Sequence, residues 1–285
     1  MNFEIDFNNP AQMDLHMHTT FSDGINSPAE MVVQAAVMGI RDIGISDHSY
    51  TFFDESYCIP LDKIQDYKAS LLNIKEKFGN TANTRFQKML GGNSISFHIG
   101  IEQDYYSNET TDFYDYVIGS VHYVRLELAR FTGTEIPEGC PVYGRYVYLP
   151  VDESKEILLS ACQAFYNGDI YAFAEDYYKV VSDVVNRTNC DIIGHFDLFS
   201  KFNEDGSVFD PENSRYRKAW KMAVDSLVKT NAVFEINTGA MSKGYRTEPY
   251  PSAEIVKYIK QCGGRLIYSS DAHRTETIAF DFKEL

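Results

Sequence analysis

The chain has 285 residues, 44% of them hydrophobic and 24% charged, an ordinary globular mixture at a length that suits one large domain or two small ones. Forty-one acidic residues against 26 basic ones leave a net charge of −15, a field that disfavours nonspecific nucleic-acid binding, although bound cations can reverse its sign locally. No run approaches the roughly 20 apolar residues of a membrane helix, and Met1 to Pro10 lacks the basic and apolar regions of a secretory signal.

Short apolar runs alternate with amphipathic stretches. Met13 to His18 is expected as a strand. Ser27-Pro28-Ala29-Glu30 has the form of a capping box opening a helix that Gly39 stops. Asp42 to Asp47 is the next strand. Asp62 to Phe78 is expected as a helix, with Ile64, Tyr67, Leu71, Ile74 and Phe78 on one face. Strands follow at Phe97 to Ile101 and Tyr116 to Val121. Arg125 to Val151 has no clear period and is expected as a long loop or short hairpin, a candidate lid. Helices over Glu153 to Tyr166 and Ile170 to Arg187, a strand at Asp191 to Gly194, and a helix over Pro211 to Lys229 come next. A strand at Ala232 to Ile236, a helix over Ser252 to Gln261 and a strand at Arg265 to Ser269 complete the pattern. Seven strands separated mostly by helices imply a parallel sheet with right-handed crossovers, either a closed α/β barrel or an open doubly wound sheet.

The cysteines, Cys58, Cys140, Cys162, Cys190 and Cys262, are odd in number, far apart and without a C-x-x-C pair. They are expected as small core hydrophobes in a chain of the reducing cytoplasm.

Of the seven histidines, most fall at the C-terminal ends of the expected strands, the edge on which α/β folds build their sites. His16 and His18 end the first strand, and an i, i+2 pair on a strand faces one side about 6.7 Å apart. His48, His122, His195 and His273 follow four further apolar runs. Glu102 ends Ile99-Gly100-Ile101-Glu102, where an unpaired carboxylate would be costly to bury. Asp23 lies on the first loop, and Asp271-Ala272-His273 repeats the i, i+2 pattern. Mixed nitrogen and oxygen donors without a thiolate suit zinc, manganese or iron(II). His98, about 13 Å back along its strand from Glu102, is expected to be structural.

Asp14-Leu15-His16-Met17-His18-Thr19, Ser22-Asp23-Gly24, Ser46-Asp47-His48, Gly100-Ile101-Glu102, Gly119-Ser120-Val121-His122, Gly194-His195-Phe196-Asp197 and Ser270-Asp271-Ala272-His273 together resemble the PHP family, named for polymerase and histidinol phosphatase. The resemblance implies an α/β fold, a distorted (β/α)7 barrel over 1–285 as a single domain, with two or three divalent ions (zinc, manganese or iron) at the C-terminal mouth. It implies a first metal on His16, His18, Glu102 and Asp271, a second on Glu102, His122 and His195, and a third on Asp23, His48 and His273. Glu102, His122, His195 and Asp271 are the implied catalytic set. Gly194 to Asn203 and Glu235-Ile236-Asn237-Thr238-Gly239 are similar in style to histidinol-phosphate phosphatases of this family.

The expected chemistry is metal-dependent hydrolysis of a small phosphorylated substrate, with metal-activated hydroxide attacking phosphorus. L-Histidinol phosphate, in histidine biosynthesis, is the first candidate. A nucleotide, a phosphotyrosyl protein or another phosphoester is the alternative, and a non-catalytic metal-binding module is a third reading. Lys201, Lys243 and Arg246 are candidate phosphate contacts, and Asp14, Asp47 and Asp197 are candidates for holding imidazole tautomers. Acidic loop residues Asp54, Glu55 and Glu248 are candidates to attract a cationic amino group. No membrane or nucleic-acid partner is expected, and the sequence leaves the oligomeric state open.

Overall fold

In the computed structural model, residues 5, 10–79 and 95–282 are described. The rest of Met1 to Asn9 and the side chain of Phe78 lie outside them.

A 3₁₀ turn (Pro10–Gln12) leads into β1 (Met13–Asp14), only two residues long where a strand to His18 is expected. The next helix, α1 (Pro28–Val37), opens on the expected capping box: Ser27 Oγ accepts from Glu30 N–H, and the Glu30 carboxylate accepts from Ser27 N–H at 2.8 Å. Gly39 ends the turn after it with φ +93°, a conformation that glycine adopts without steric cost. After β2 (Asp42–Ile45) come α2 (Ile64–Gly79), β3 (Ser96–Asp104) and β4 (Tyr116–Ser120). Tyr67, Leu71 and Ile74 of α2 are buried, as their spacing predicts.

The segment 125–151 differs from a loop. β5 (Tyr123–Glu127), β6 (Val142–Tyr143) and β7 (Tyr146–Pro150) form a three-stranded antiparallel sheet in the order β5-β7-β6. Tyr106, Tyr123 and Tyr148 form a buried aromatic cluster there, joined by Phe52, Phe53 and Tyr57. Phe53 stacks on Tyr148 with centroids 3.6 Å apart.

Two helices, α3 (Lys155–Tyr166) and α4 (Ile170–Val181), start at the side-chain caps Ser154 and Asp169. The expected single helix to Arg187 breaks at Ser182, whose hydroxyl donates back to the Lys179 carbonyl at 2.7 Å, and resumes as α5 (Val184–Thr188). The chain continues through β8 (Ile192–Ile193), α6 (Ser214–Leu227), β9 (Val233–Asn237), the short α7 (Gly239–Ser242), α8 (Ala253–Gln261) and β10 (Leu266–Ser269).

The seven long-sheet strands run in the order β1-β2-β3-β4-β8-β9-β10, all neighbours parallel. The two edges meet just beyond β1 and β10. His18 N–H donates to the Ala272 carbonyl at 2.9 Å, and Ala272 N–H donates to the His16 carbonyl at 3.2 Å, closing a parallel bridge at Met17. The fold is therefore the nearly closed barrel rather than the open sheet. Met13, Leu15, Tyr116, Ile118, Ile192, Val233 and Ile267 form one buried cluster within the ring of strands, and a larger cluster packs strands against helices.

Two glycines make room for the largest of these side chains. A Cβ at Gly44 or Gly100 would overlap the Tyr116 ring, whose hydroxyl donates to the Leu15 carbonyl. Gly100→Ala is therefore expected to cost about 1–3 kcal/mol by overpacking. In a Tyr116→Leu background the same change is expected to cost clearly less. Urea unfolding of the four proteins checks this, and equal costs in both backgrounds would refute it.

Candidate metal centre

The site is built from strand ends and the loops that follow them. Glu102, on β3, is 1% exposed and stands at the centre. Its Oε2 lies 3.2 Å from His16 Nε2, 3.4 Å from His18 Nε2 and 2.8 Å from His48 Nδ1. Its Oε1 lies 3.0 Å from His195 Nε2 and 3.5 Å from His122 Nε2. Five imidazoles from four segments thus surround one carboxylate.

Asp271 Oδ1 completes one side, 3.2 Å from His18 Nε2 and 3.9 Å from His16 Nε2. Asp23 completes the other, with Oδ2 2.9 Å from His273 Nε2 and Oδ1 3.6 and 3.7 Å from His18 Nδ1 and His48 Nε2. The nine residues expected as ligands therefore converge. Three groups of donor atoms lie close enough to share an ion: His16, His18 and Asp271; His18, Asp23, His48 and His273; and His48, Glu102 and His122. His18 and His48 each take part in two groups, one ring nitrogen per side, which differs from an assignment of each imidazole to one metal.

His16 and His18 meet by a route other than strand alternation. The ladder ends at Asp14, and the rings come to 5.0 Å between centroids on an irregular segment pinned by Met17. Asp14 does part of that pinning by accepting from Ser270 N–H at 3.1 Å and Ala279 N–H at 3.0 Å, and burial raises its pKa to about 6. Asp47 accepts from Thr19 N–H and Oγ and from Ser22 Oγ, fixing the loop that carries Asp23. Asp197 accepts from the Tyr178 and Tyr216 hydroxyls. None of the three holds an imidazole ring. Two other carboxylates do. Glu235, fully buried on β9, lies 2.6 Å from His16 Nδ1 and accepts from His195 N–H at 2.9 Å. Asp104, at the end of β3, lies 3.2 Å from His122 Nδ1. Both contacts turn the ring's Nε2 toward Glu102.

The donor chemistry fits divalent cations. Among the described residues, His16 Nε2, both ring nitrogens of His18, Glu102 Oε2 and His195 Nδ1 are buried without a hydrogen-bond partner. Such atoms are expensive to bury unsatisfied, and a cation satisfies those facing one another. Burial first, and then the neighbouring His273 and His48, push the His18 pKa down to about 3. It is therefore a neutral imidazole with one ring nitrogen free to ligate a metal. Its ring stacks on His273 at 4.2 Å between centroids.

A cavity of about 230 Å³ opens over the cage. Its lining brings in Lys201, Lys243, Asp152, Glu153 and Tyr250 beside the metal-facing histidines. Lys201 donates to the Asp152 carbonyl at 2.7 Å, whereas among the described residues no hydrogen bond or ion pair holds the Lys243 side chain. Arg246 lies outside that lining, its guanidinium spent on the Ser200 carbonyl and hydroxyl. His98 pairs with Asp42 at 3.1 Å, on strand residues that precede the site. Asp54 accepts from the Tyr123 hydroxyl, Glu55 from Tyr50, and the Glu248 carbonyl lies near Arg246.

A family profile described as "PHP domain" matches residues 14–239. A "probable histidinol-phosphatase" of Schizosaccharomyces pombe is 25% identical over 272 residues, covering 89% of this chain and 77% of that protein. A structure from Listeria monocytogenes that bears the provisional name of a histidinol phosphatase superposes with a TM-score of 0.69 at 19% identity, over 93% of this chain and 97% of that one. The histidinol phosphate phosphatase of Lactococcus lactis, solved with zinc, L-histidinol and phosphate, superposes with a TM-score of 0.57 at 18% identity, over 92% and 86%. At these identities the two structures establish the likeness of fold.

Glu235→Gln is expected to weaken metal retention by about 10- to 100-fold, since it removes the charge that orients His16. Elemental analysis after dialysis against graded chelator checks it, and retention equal to the wild type would sink the assignment. Stripping the wild type with chelator is expected to lower its melting temperature, with recovery on adding zinc.

Proposed function

The chain belongs to the PHP domain family, and from that membership and the caged carboxylate we propose that it is a divalent-metal-dependent phosphomonoester hydrolase acting on L-histidinol phosphate. The observation that carries the reading is Glu102, buried among five imidazoles beneath a cavity with lysines on its wall. The substrate is the one named for the Schizosaccharomyces relative and for the Lactococcus structure, with which this chain shares a fold over most of its length. The nitrogen and oxygen donor set suits zinc, manganese or iron(II), and zinc is the metal of the Lactococcus structure.

His16, His18, Glu102 and Asp271 would hold one cation, and Glu102, His122 and His195, with His48 alongside, a second. Asp23, His48 and His273 would hold a third. When bound, such cations acidify water and neutralise phosphoryl charge. The chain's own residues do the rest. Glu235 and Asp104 fix the His16 and His122 rings. The parallel bridge at Met17 holds the first and last strand ends in register. Lys243 lines the cavity wall, placed to bind a phosphate oxygen, with Lys201 held nearer Asp152. No described helix is long and apolar enough to cross a membrane. The five free cysteines support a reducing compartment such as the cytoplasm.

Zinc-loaded protein is expected to release phosphate from L-histidinol phosphate in preference to nucleoside monophosphates. Glu102→Gln is expected to lower kcat on the order of 10²–10³-fold. Phosphate-release assays across that substrate panel decide the matter: a strong preference for a nucleotide would remove histidinol phosphate as the substrate.

A further inference from the structure

Deeply buried tyrosines in this fold are satisfied. Tyr67 donates to the Gly100 carbonyl, Tyr116 to that of Leu15, and Tyr178 to Asp197. Tyr250 is different. It is 2% exposed, yet its hydroxyl has no hydrogen-bond partner among the described residues. A phenol placed so pays the desolvation of its O–H without recovering it. It is also one of the residues that line the cavity over the cage.

The residue is held there firmly. Its backbone pairs antiparallel with Asn237, at the mouth end of β9, through N–H to carbonyl bonds of 2.9 and 2.7 Å. The Arg246 guanidinium covers the ring at 5.2 Å from its centroid, and Arg246 is itself tied to Ser200. The backbone and the ring face are thus accounted for, and the hydroxyl is left over. Lys201 and Lys243 line the same cavity.

We propose that the Tyr250 hydroxyl donates a hydrogen bond to a phosphoryl oxygen of the bound substrate, so that the unpaired donor is satisfied on binding. The assignment rests on the phosphomonoesterase reading and adds a substrate-binding residue to it. Burial, together with Asp152, Asp197 and Asp271 nearby, keeps the phenol protonated, which suits a donor rather than a base.

The test compares zinc-loaded wild type with Tyr250→Phe by calorimetric titration of inorganic phosphate, alongside the melting temperature without phosphate. The variant is expected to bind phosphate roughly 10- to 100-fold more weakly, the range for a hydrogen bond to a charged acceptor. Its ligand-free melting temperature is expected to stay equal or rise, because a buried unpaired hydroxyl is lost. Equal phosphate affinity in the two proteins, absence of phosphate binding by the wild type, or a melting temperature several degrees lower in the variant each overturns the assignment. Turnover of L-histidinol phosphate is measured separately. A protein that binds phosphate through Tyr250 but hydrolyses a different phosphomonoester keeps this inference and loses that substrate.

Discussion

The fold is organised around the burial of one carboxylate. Glu102 has five imidazole nitrogens within 3.5 Å and almost no contact with solvent. Removing a carboxylate from water is costly unless opposite charge and donors replace the water. Here they come from four separate segments, so the chain has to bring those four to one point. Imidazoles packed this closely cannot all be protonated. His18, stacked between His48 and His273 at 4.3 and 4.2 Å, is the one driven to neutrality. A divalent cation needs the ring nitrogens that face it neutral and the carboxylates ionised, so its binding would displace protons from the other rings.

Parallel strands in a closed ring supply that convergence, because all their C-terminal ends share one rim. Closure is local here. β1 offers only two residues to the ladder, and the ring is completed by the bridge at Met17 and by Asp14 gripping the backbone at Ser270 and Ala279. The early end of the strand therefore works as an anchor, and the irregular segment after it can aim both histidines inward. Tyr116 spans the interior over Gly44 and Gly100, so adjacent strands approach without a side chain between them and the ring.

Much of the site was legible because metal ligands are chemically conspicuous: histidines at the ends of apolar runs have few other reasons to recur. The start and stop of the first helix followed from Ser27 and Gly39, whose roles are local. What was not read depends on contacts distant in sequence. Asp14, Asp47 and Asp197 adjoin ligand histidines in the chain but spend their oxygens on backbone amides and hydroxyls. Glu235 and Asp104 reach rings 219 and 18 residues away. A signal for both existed. The argument that singles out Glu102, a carboxylate within a fully buried strand, applies equally to Glu235 in Val233–Asn237 and to Asp104. Of the three-stranded sheet no more than a short hairpin was read, as the alternative to a loop, because β6 has two residues and glycines interrupt any alternation. Its stability lies in the aromatic cluster with Phe52 and Phe53, far back in the chain.

The electrostatics of the cavity close the argument for cations. Asp23, Asp152, Glu153 and Asp271 line it against only Lys201 and Lys243, and Lys201 is already drawn to Asp152. Four carboxylates and two ammonium groups, in a chain of net charge −15, would repel a phosphate dianion at every distance. Divalent ions held in the cage would reverse that sign at the mouth while leaving the outer field negative. The acidity that argues against nucleic acid is thus compatible with a phosphorylated substrate, because the attraction is confined to the few ångströms around the cage. A neutral donor such as the proposed Tyr250 hydroxyl would add directional binding there without adding a charge that the caged cations would oppose.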